Sequence, residues 1–208
     1  MSNQQRVIFY IDGFNFYYGL KAKNWKKYYW LDIVKFCETF MRPHQTLIEV
    51  TYFSAKPHHS GKSDRQDLFF SANKLNKKFR LELGRYMPKD KKCSSCGAIH
   101  KTFEEKETDV KIATRMISDV VKDRCDISIL ISADSDLVPP IEFIRGFSTK
   151  HKIFVYFPPC RFSSNLNALA NNIKNLDGSA KAFGECLLPD EITHPVTGYV
   201  IKKPPSWV

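Results

Sequence analysis

The sequence predicts an α/β fold around a mostly parallel sheet, and three observations predict it. Short runs rich in β-branched and aromatic residues recur without polar alternation, as in strands buried on both faces. Segments with apolar residues at helical spacing separate those runs. The chain has 208 residues, 43% hydrophobic and 26% charged, without repeats or low-complexity tracts, which suits one globular domain with a sizeable core.

In chain order, RVIFYID (6–12) reads as a strand buried on both faces. GFNFYYGLKAK leads into a helix, and a second helix around Leu31 to Met41 stops before Pro43. TLIEVTYFSA (46–55) is the next strand. Residues 63–79 follow as a helix capped by Ser63 or Asp64, with Leu68, Phe69, Ala72, Leu75 and Phe79 at helical spacing. LELGRYM (81–87) is a third, shorter strand. The lysine-rich stretch from about 88 to 106, with Cys93 and Cys96, reads as an inserted loop or hairpin. Residues 108–123 form an amphipathic helix with Val110, Ala113, Ile117, Val120 and Val121 on one face. DISILISA (126–133) and KIFVYFP (152–158) are buried strands with a helix from about Leu137 to Phe147 between them, and residues 163–176 are a last helix.

In such sheets, functional groups gather beyond the carboxyl ends of the strands, where strand order reverses. Asp12 ends the first strand, and Asp134 and Asp136 follow ILISA; if those strands are neighbours, three carboxylates meet in one crevice. Asp109, opening the amphipathic helix, reaches the same crevice from the side. Carboxylates packed together repel one another unless a hard cation joins them, and oxygen ligands suit Mg²⁺ or Mn²⁺. The chemistry implied is metal-assisted attack of water on a phosphodiester. Taken singly, Asp136 reads as a helix N-cap and Asp109 as a first-turn acid, with Pro139 and Pro140 consistent with a helix start. Asp134 resists that account, because a carboxylate directly after a buried strand needs a partner. Asn15 is either a turn residue or a contact to water or phosphate, and Ser132 and Ser135 either donate to the carboxylates or cap.

The blocks VIFYIDGFNFYYGL, EEKETDVKIATRMI and ISADSDLVPPIEFIR resemble, in the same order, the signature blocks of the NYN domain, in its LabA-like branch of the PIN-like nucleases. With YFSA, the Arg65-Gln66 helix and the final strand, the resemblance covers roughly residues 6 to 177, and LPDEITHPVTGYVIKKPPSW is similar to a C-terminal extension of many members. The second block departs from the family pattern in reading Glu-Lys-Glu-Thr-Asp, where small residues often precede the acid. The resemblance implies a Rossmann-like, three-layer PIN-like fold over residues 1–180, an extension over 181–208, and metal-dependent ribonuclease activity. It places Asp12, Asp109, Asp134 and Asp136 in the acidic metal site, with Asn15 as their polar neighbour.

Lys+Arg number 32 against 22 Asp+Glu, a formal charge of +10 that favours a polyanionic partner. Lys21, Lys23, Lys26 and Lys27, interleaved with Trp25 and neighbouring aromatics, suit single-stranded RNA, with ammonium groups on phosphates and rings on unpaired bases. Cys93-Ser-Ser-Cys96-Gly looks like half of a zinc knuckle whose second half is missing locally. His100, His58 and His59 leave room for a composite site or one shared across a homodimer, but structural Zn²⁺ is not the expectation. The start MSNQQRVIFYID lacks the pattern of a signal peptide and no apolar run suits a membrane span, so a reducing cytoplasm is the expected compartment. Asp-Gly-Phe-Asn after the first strand excludes a dinucleotide-binding fingerprint, and Phe14 stands where an aspartyl phosphatase needs its second Asp. The alternative to a nuclease is a non-catalytic module that binds RNA or protein and keeps the PIN-like fold.

Overall fold

The computed structural model describes residues 4–56 and 60–207, with residues 60–63 described by their backbone alone. Strand β1 (Gln5–Asp12) sits at the centre of a seven-stranded sheet. The chain then forms α1 (Gly13–Ala22), α2 (Ile33–Glu38), β2 (Gln45–Ala55), α3 (Ser60–Asn73) and β3 (Phe79–Lys92). It continues through β4 (Ile99–Lys106), α4 (Thr108–Val121), β5 (Ile127–Ile131), α5 (Val138–Phe147), β6 (Lys152–Phe157), α6 (Ser164–Leu169) and β7 (Asn172–Asn175). The sheet order is β4-β3-β2-β1-β5-β6-β7, parallel throughout except for the antiparallel β3–β4 pair.

Side chains alternate across a strand, and β1 and β5 use the alternation to feed two cores. Val7, Phe9 and Ile11 of β1, with Ile127, Ile129 and Ile131 of β5, pack against α1, α2 and α3. Ile8 and Tyr10, with Leu130, pack against α4, α5 and α6 on the opposite face. Helices therefore cover both faces, giving the three-layer PIN-like architecture. Strands β2 and β3 build outward from β1 on one side, and β5, β6 and β7 on the other. Strand order thus reverses between β1 and β5, which are direct neighbours in parallel register from Val7↔Ile127 to Ile11↔Ile131.

Four expectations need correction. Strand β3 is longer than LELGRYM, and residues 85–92 pair with 99–106 as a ladder whose turn is confined to 93–98. Both faces of that ladder are largely exposed, so it needs no apolar alternation to pair. Helix α3 begins at Ser60 and ends at Asn73, where the Asn73 side chain bonds Ile33 N and the Leu31 carbonyl instead of prolonging the helix. The last helix stops at Leu169, and NIKN becomes the edge strand β7. Helix α4 buries Ile112, Met116, Asp119 and Val120, whereas Val110 and Val121 are 68% and 51% exposed.

The reason for that rotated face is ionic. Asp119, 1% exposed, accepts bonds from Tyr10 Oη at 3.0 Å, Arg115 Nε at 2.8 Å and Arg124 Nη1 at 2.6 Å. Arg115 also binds Glu49 of β2 at 2.6 Å, so one closed set of charges ties α4 to the two central strands. Beyond β7, α7 (Ala180–Glu185) and the hairpin of β8 (Glu191–Thr193) and β9 (Val200–Lys202) pack back on the α1–α3 core through Phe183, Cys186 and Ile201. Trp30 Nε1 secures the connection by donating to the Pro189 carbonyl at 2.8 Å. Among the described residues, no helix is long and apolar enough to cross a membrane.

Candidate metal centre

By its place in β1, Asp12 follows Ile8 and Tyr10 on the α4 side of the sheet, and it is 3% exposed. Its Oδ1 accepts the Asn15 amide at 3.0 Å and caps α1, while its Oδ2 accepts the Ser132 hydroxyl at 2.8 Å. Burial pushes the Asp12 carboxyl pKa up, helped by the charge of Asp134, and the amide and hydroxyl donors oppose that rise. Gly13 follows because nothing larger fits: a Cβ there would lie 2.4 Å from the Phe53 carbonyl oxygen and 2.5 Å from the Tyr52 ring. Gly13→Ala is therefore expected to destabilise the chain by roughly 1–3 kcal/mol in urea unfolding, the usual cost of overpacking a filled core. A loss below ~0.5 kcal/mol would show that the turn has room.

At the end of β5, Ser132 is buried and bridges two acids, since its Oγ also accepts the Asp134 amide at 3.0 Å. Asp134 turns out to be a cap as well, its Oδ1 accepting the Asp136 amide at 3.0 Å to start the 3-10 turn 135–137. Asn15 Oδ1 accepts the Ala133 amide at 3.3 Å and so joins the start of α1 to the end of β5. From the other side, the chain enters α4 through Glu107 in a left-handed conformation (φ 78°), and Glu105 Oε1 accepts the Thr108 amide at 3.0 Å. That entry sets half-buried Asp109 against the pair.

Asp12, Asp109 and Asp134 each present an oxygen, and these atoms all lie within 4.8 Å of one another. Burial, then the charges of Asp12, Asp134, Glu105 and Asp136, push the Asp109 carboxyl up to about 6. An all-carboxylate set is a hard donor set, which fits a divalent ion such as Mg²⁺ or Mn²⁺ better than a soft one. Asp136 is exposed and stands outside the trio, although Asp109 feels its charge. Ser135 is exposed.

The raised Asp109 pKa has a definite sign. Its ordinary value is 3.8, so between pH 4 and about 6 the folded chain holds a proton that the unfolded chain releases. Without a divalent ion, this group's contribution to stability is complete below pH 3.8 and is lost as pH rises through about 6. The ion must displace that proton, so Mn²⁺ should raise the melting temperature more at pH 7.5 than at pH 5. The metal-free melting curves of the native chain and Asp109→Asn should converge at the acid end. Parallel curves would contradict the assignment.

The RNA-contact residues expected from sequence have different fates. Lys21 Nζ lies 5.8 Å over the Tyr18 ring, whereas Lys23 pairs with Asp177 at 3.0 Å. Trp25 is half-buried, edge-on to Tyr28 and Phe183 at 5.3 Å each, so its ring serves the core instead of an open base platform. Lys26 and Lys27 are exposed on the 3-10 turn 26–28. Cys93 and Cys96 stand at the β3–β4 tip, where the amides of Cys96 and Ser95 hold the Cys93 thiol pKa below its usual range. Among the described residues, no group of three or more His, Cys, Asp or Glu ligands forms around them; His58 and His59 lie outside the described residues.

What sequence reasoning missed is an aromatic cavity of about 520 Å³ beside Asp12. Gly13 and Tyr52 belong to its wall, and Tyr52 is close enough for the Asp12 charge to raise its pKa, after burial. Lys21 lines it, but Lys23, Trp25, Lys26 and Lys27 do not. Its other walls come from α1, α3, the β3–β4 ladder and Trp207, elements too far apart in sequence to be read together.

Residues 6–176 match the model of the NYN domain family. The chain is 25% identical over 210 residues to 6-hydroxy-3-succinoylpyridine 3-monooxygenase of Pseudomonas putida, with 82% of this chain and 64% of that protein covered. It therefore spans less than two thirds of that relative's length. The crystal structure of a protein of unknown function from Vibrio parahaemolyticus is similar with a TM-score of 0.58 and 18% identity, covering 90% of this chain and 99% of that one. A likeness of this degree concerns the fold alone.

Proposed function

We propose, because the chain belongs to the NYN domain family, that it is a metal-dependent ribonuclease hydrolysing RNA phosphodiester bonds at Asp12, Asp109 and Asp134. The observation that carries this reading is the convergence of three carboxylate oxygens within 4.8 Å at the switch point of the sheet. Asp12 and Asp134 would hold the ion with Asp109. Bound there, Mg²⁺ or Mn²⁺ would supply the positive charge that acidifies water and offsets charge on a scissile phosphate. Ser132 keeps Asp12 and Asp134 in register through its two hydrogen bonds, and Asn15 fixes the turn that carries Asp12. Asp136, exposed and near enough for Asp109 to feel its charge, would orient the attacking water. Within the family, the sequence blocks favour the LabA-like branch. On this reading the domain spans residues 1–180 with 181–208 as an extension, and it would act on RNA in the cytoplasm.

The test is incubation of the purified chain with mixed RNAs and Mg²⁺, Mn²⁺ or EDTA. Cleavage only with the ion is the expected result. Binding of RNA and of Mn²⁺ without cleavage would identify a non-catalytic module. A second reading, transformation of a small heteroaromatic acid, takes its support from the Pseudomonas relative and from the aromatic cavity. Turnover of such an acid with RNA left intact would favour it.

A further inference from the structure

We propose that the aromatic cavity beside Asp12 receives one unpaired base of the RNA strand, so that the enzyme cuts next to an extruded nucleotide. This rests on the RNA-cleaving reading and names the subsite that would give it a preference for single strands. Four observations carry it.

The first is size and place. A cavity of about 520 Å³ falls within the range of sites for small planar ligands, about 300–1,000 Å³. Gly13, the chain neighbour of Asp12, and Tyr52, which feels the Asp12 charge, both line it, so the cavity opens on the same end of β1 that carries the first carboxylate. The second is the character of the wall. Tyr17 and Tyr18 keep 40% and 46% of their surface exposed although they lie on a helix that packs into the core. Tyr86 meets Phe14 edge-on at 6.1 Å, and Trp207 meets Tyr29 edge-on at 5.8 Å, so rings from the ladder, α1, the segment after the 3-10 turn 26–28 and the C-terminal segment join in one aromatic wall. Stacking on such rings contributes about 1–3 kcal/mol per base and tolerates any base, because every base has a π-face.

The third is charge. Lys21, Arg65 and Lys101 come from α1, α3 and β4 to the same cavity, and among the described residues that line it there is no acid. A base alone has no use for three cations, but the phosphates flanking it do. The fourth is an unmet hydrogen bond. The Gln66 amide donates from Nε2 to Ser54 Oγ at 2.9 Å, while its Oε1 is buried without a partner among the described residues, and both residues line the cavity. A buried acceptor left unpaired is costly, and an N–H on the Watson–Crick edge of a base supplies the missing donor. Bases in a duplex present neither a free face nor a free Watson–Crick edge, and extruding one costs a few kcal/mol, so unpaired positions are preferred.

The experiment is done first in EDTA, where no cleavage is needed. Adenosine 5′-monophosphate, ribose 5-phosphate and a pyridine carboxylate are titrated separately while tryptophan fluorescence is followed. The nucleotide should bind and ribose 5-phosphate should bind at least tenfold more weakly. Tyr86→Ala should weaken the nucleotide about tenfold, the equivalent of 1.4 kcal/mol, and Tyr86→Phe, which keeps the ring, should not. With Mn²⁺ and a single-stranded RNA, Tyr86→Ala should raise KM and leave kcat nearly unchanged, whereas Tyr86→Phe should match the native chain. Equal binding of nucleotide and ribose 5-phosphate, or binding of the pyridine carboxylate without the nucleotide, overturns the base pocket. Nucleotide binding without any RNA cleavage keeps the pocket and removes the nuclease; cleavage indifferent to Tyr86→Ala does the opposite.

Discussion

Replacing Asp134 by Asn is expected to abolish RNA cleavage and, in the absence of a divalent ion, to leave the melting temperature level or raise it. Asparagine caps a helical turn as well as aspartate does, so the bond from the Asp136 amide survives and the local backbone is retained. What changes is charge. Asp134 is one of three carboxylates whose oxygens lie within 4.8 Å, and its charge raises the pKa of both Asp12 and Asp109. Removing it relieves repulsion among the carboxylates when no divalent ion is supplied. It also removes one anionic ligand, so the stabilisation that Mn²⁺ adds to the native chain should shrink. The rate should fall by on the order of a hundredfold or more, the scale of losing a group that supports charge in the transition state. Melting curves with and without Mn²⁺, beside an RNA cleavage assay, read all three quantities. A variant that melts lower, keeps its response to Mn²⁺ and cleaves normally per folded molecule would reduce Asp134 to a cap.

Arg115→Ala is expected to cost about 3 kcal/mol or more of unfolding free energy, the largest effect on stability in the molecule outside the apolar core. Arg115 joins Glu49 at 2.6 Å and Asp119 at 2.8 Å, and both acids are mostly out of solvent. Arg124 still reaches both acids, but at 3.3 Å from Glu49 and with more of its side chain in water. A buried carboxylate that loses a partner keeps its desolvation cost and loses what offset it. Adding Asp119→Asn to Arg115→Ala should recover part of the loss, because Glu49 and Asp119 then no longer share Arg124 as their one remaining arginine. Urea unfolding of the single and double variants measures both steps, and a single-variant loss under ~1 kcal/mol would mean that the network is worth no more than a surface pair.

The same network explains part of what the sequence conceals. Apolar spacing in α4 points to Val110 and Val121, yet the helix turns Asp119 inward because two arginines and Tyr10 satisfy it. Periodicity counts hydrophobic residues and cannot see a polar residue whose partners lie on other elements. Strands β1 and β5 were legible for the opposite reason: buried on both faces, they are apolar at nearly every buried position until they end, and so Asp12 and Asp134 stand out. Strand β7 was not, since its four residues form the sheet edge and are largely exposed. The acids could be placed at strand ends from the sequence, and Asp109 at a helix start. The tyrosines, Arg65 and Trp207 of the cavity could not, since only the folded chain gathers them.

The central position of β1 has a consequence for timing. It is made first, but Ser132, which holds Asp12 and Asp134 together, lies 120 residues later in the chain. At ordinary rates of synthesis that interval lasts on the order of ten seconds, during which Asp12 has no β5 beside it. Here the order of the strands acts as a delay: the three carboxylates cannot meet until β5 has been made and laid against β1.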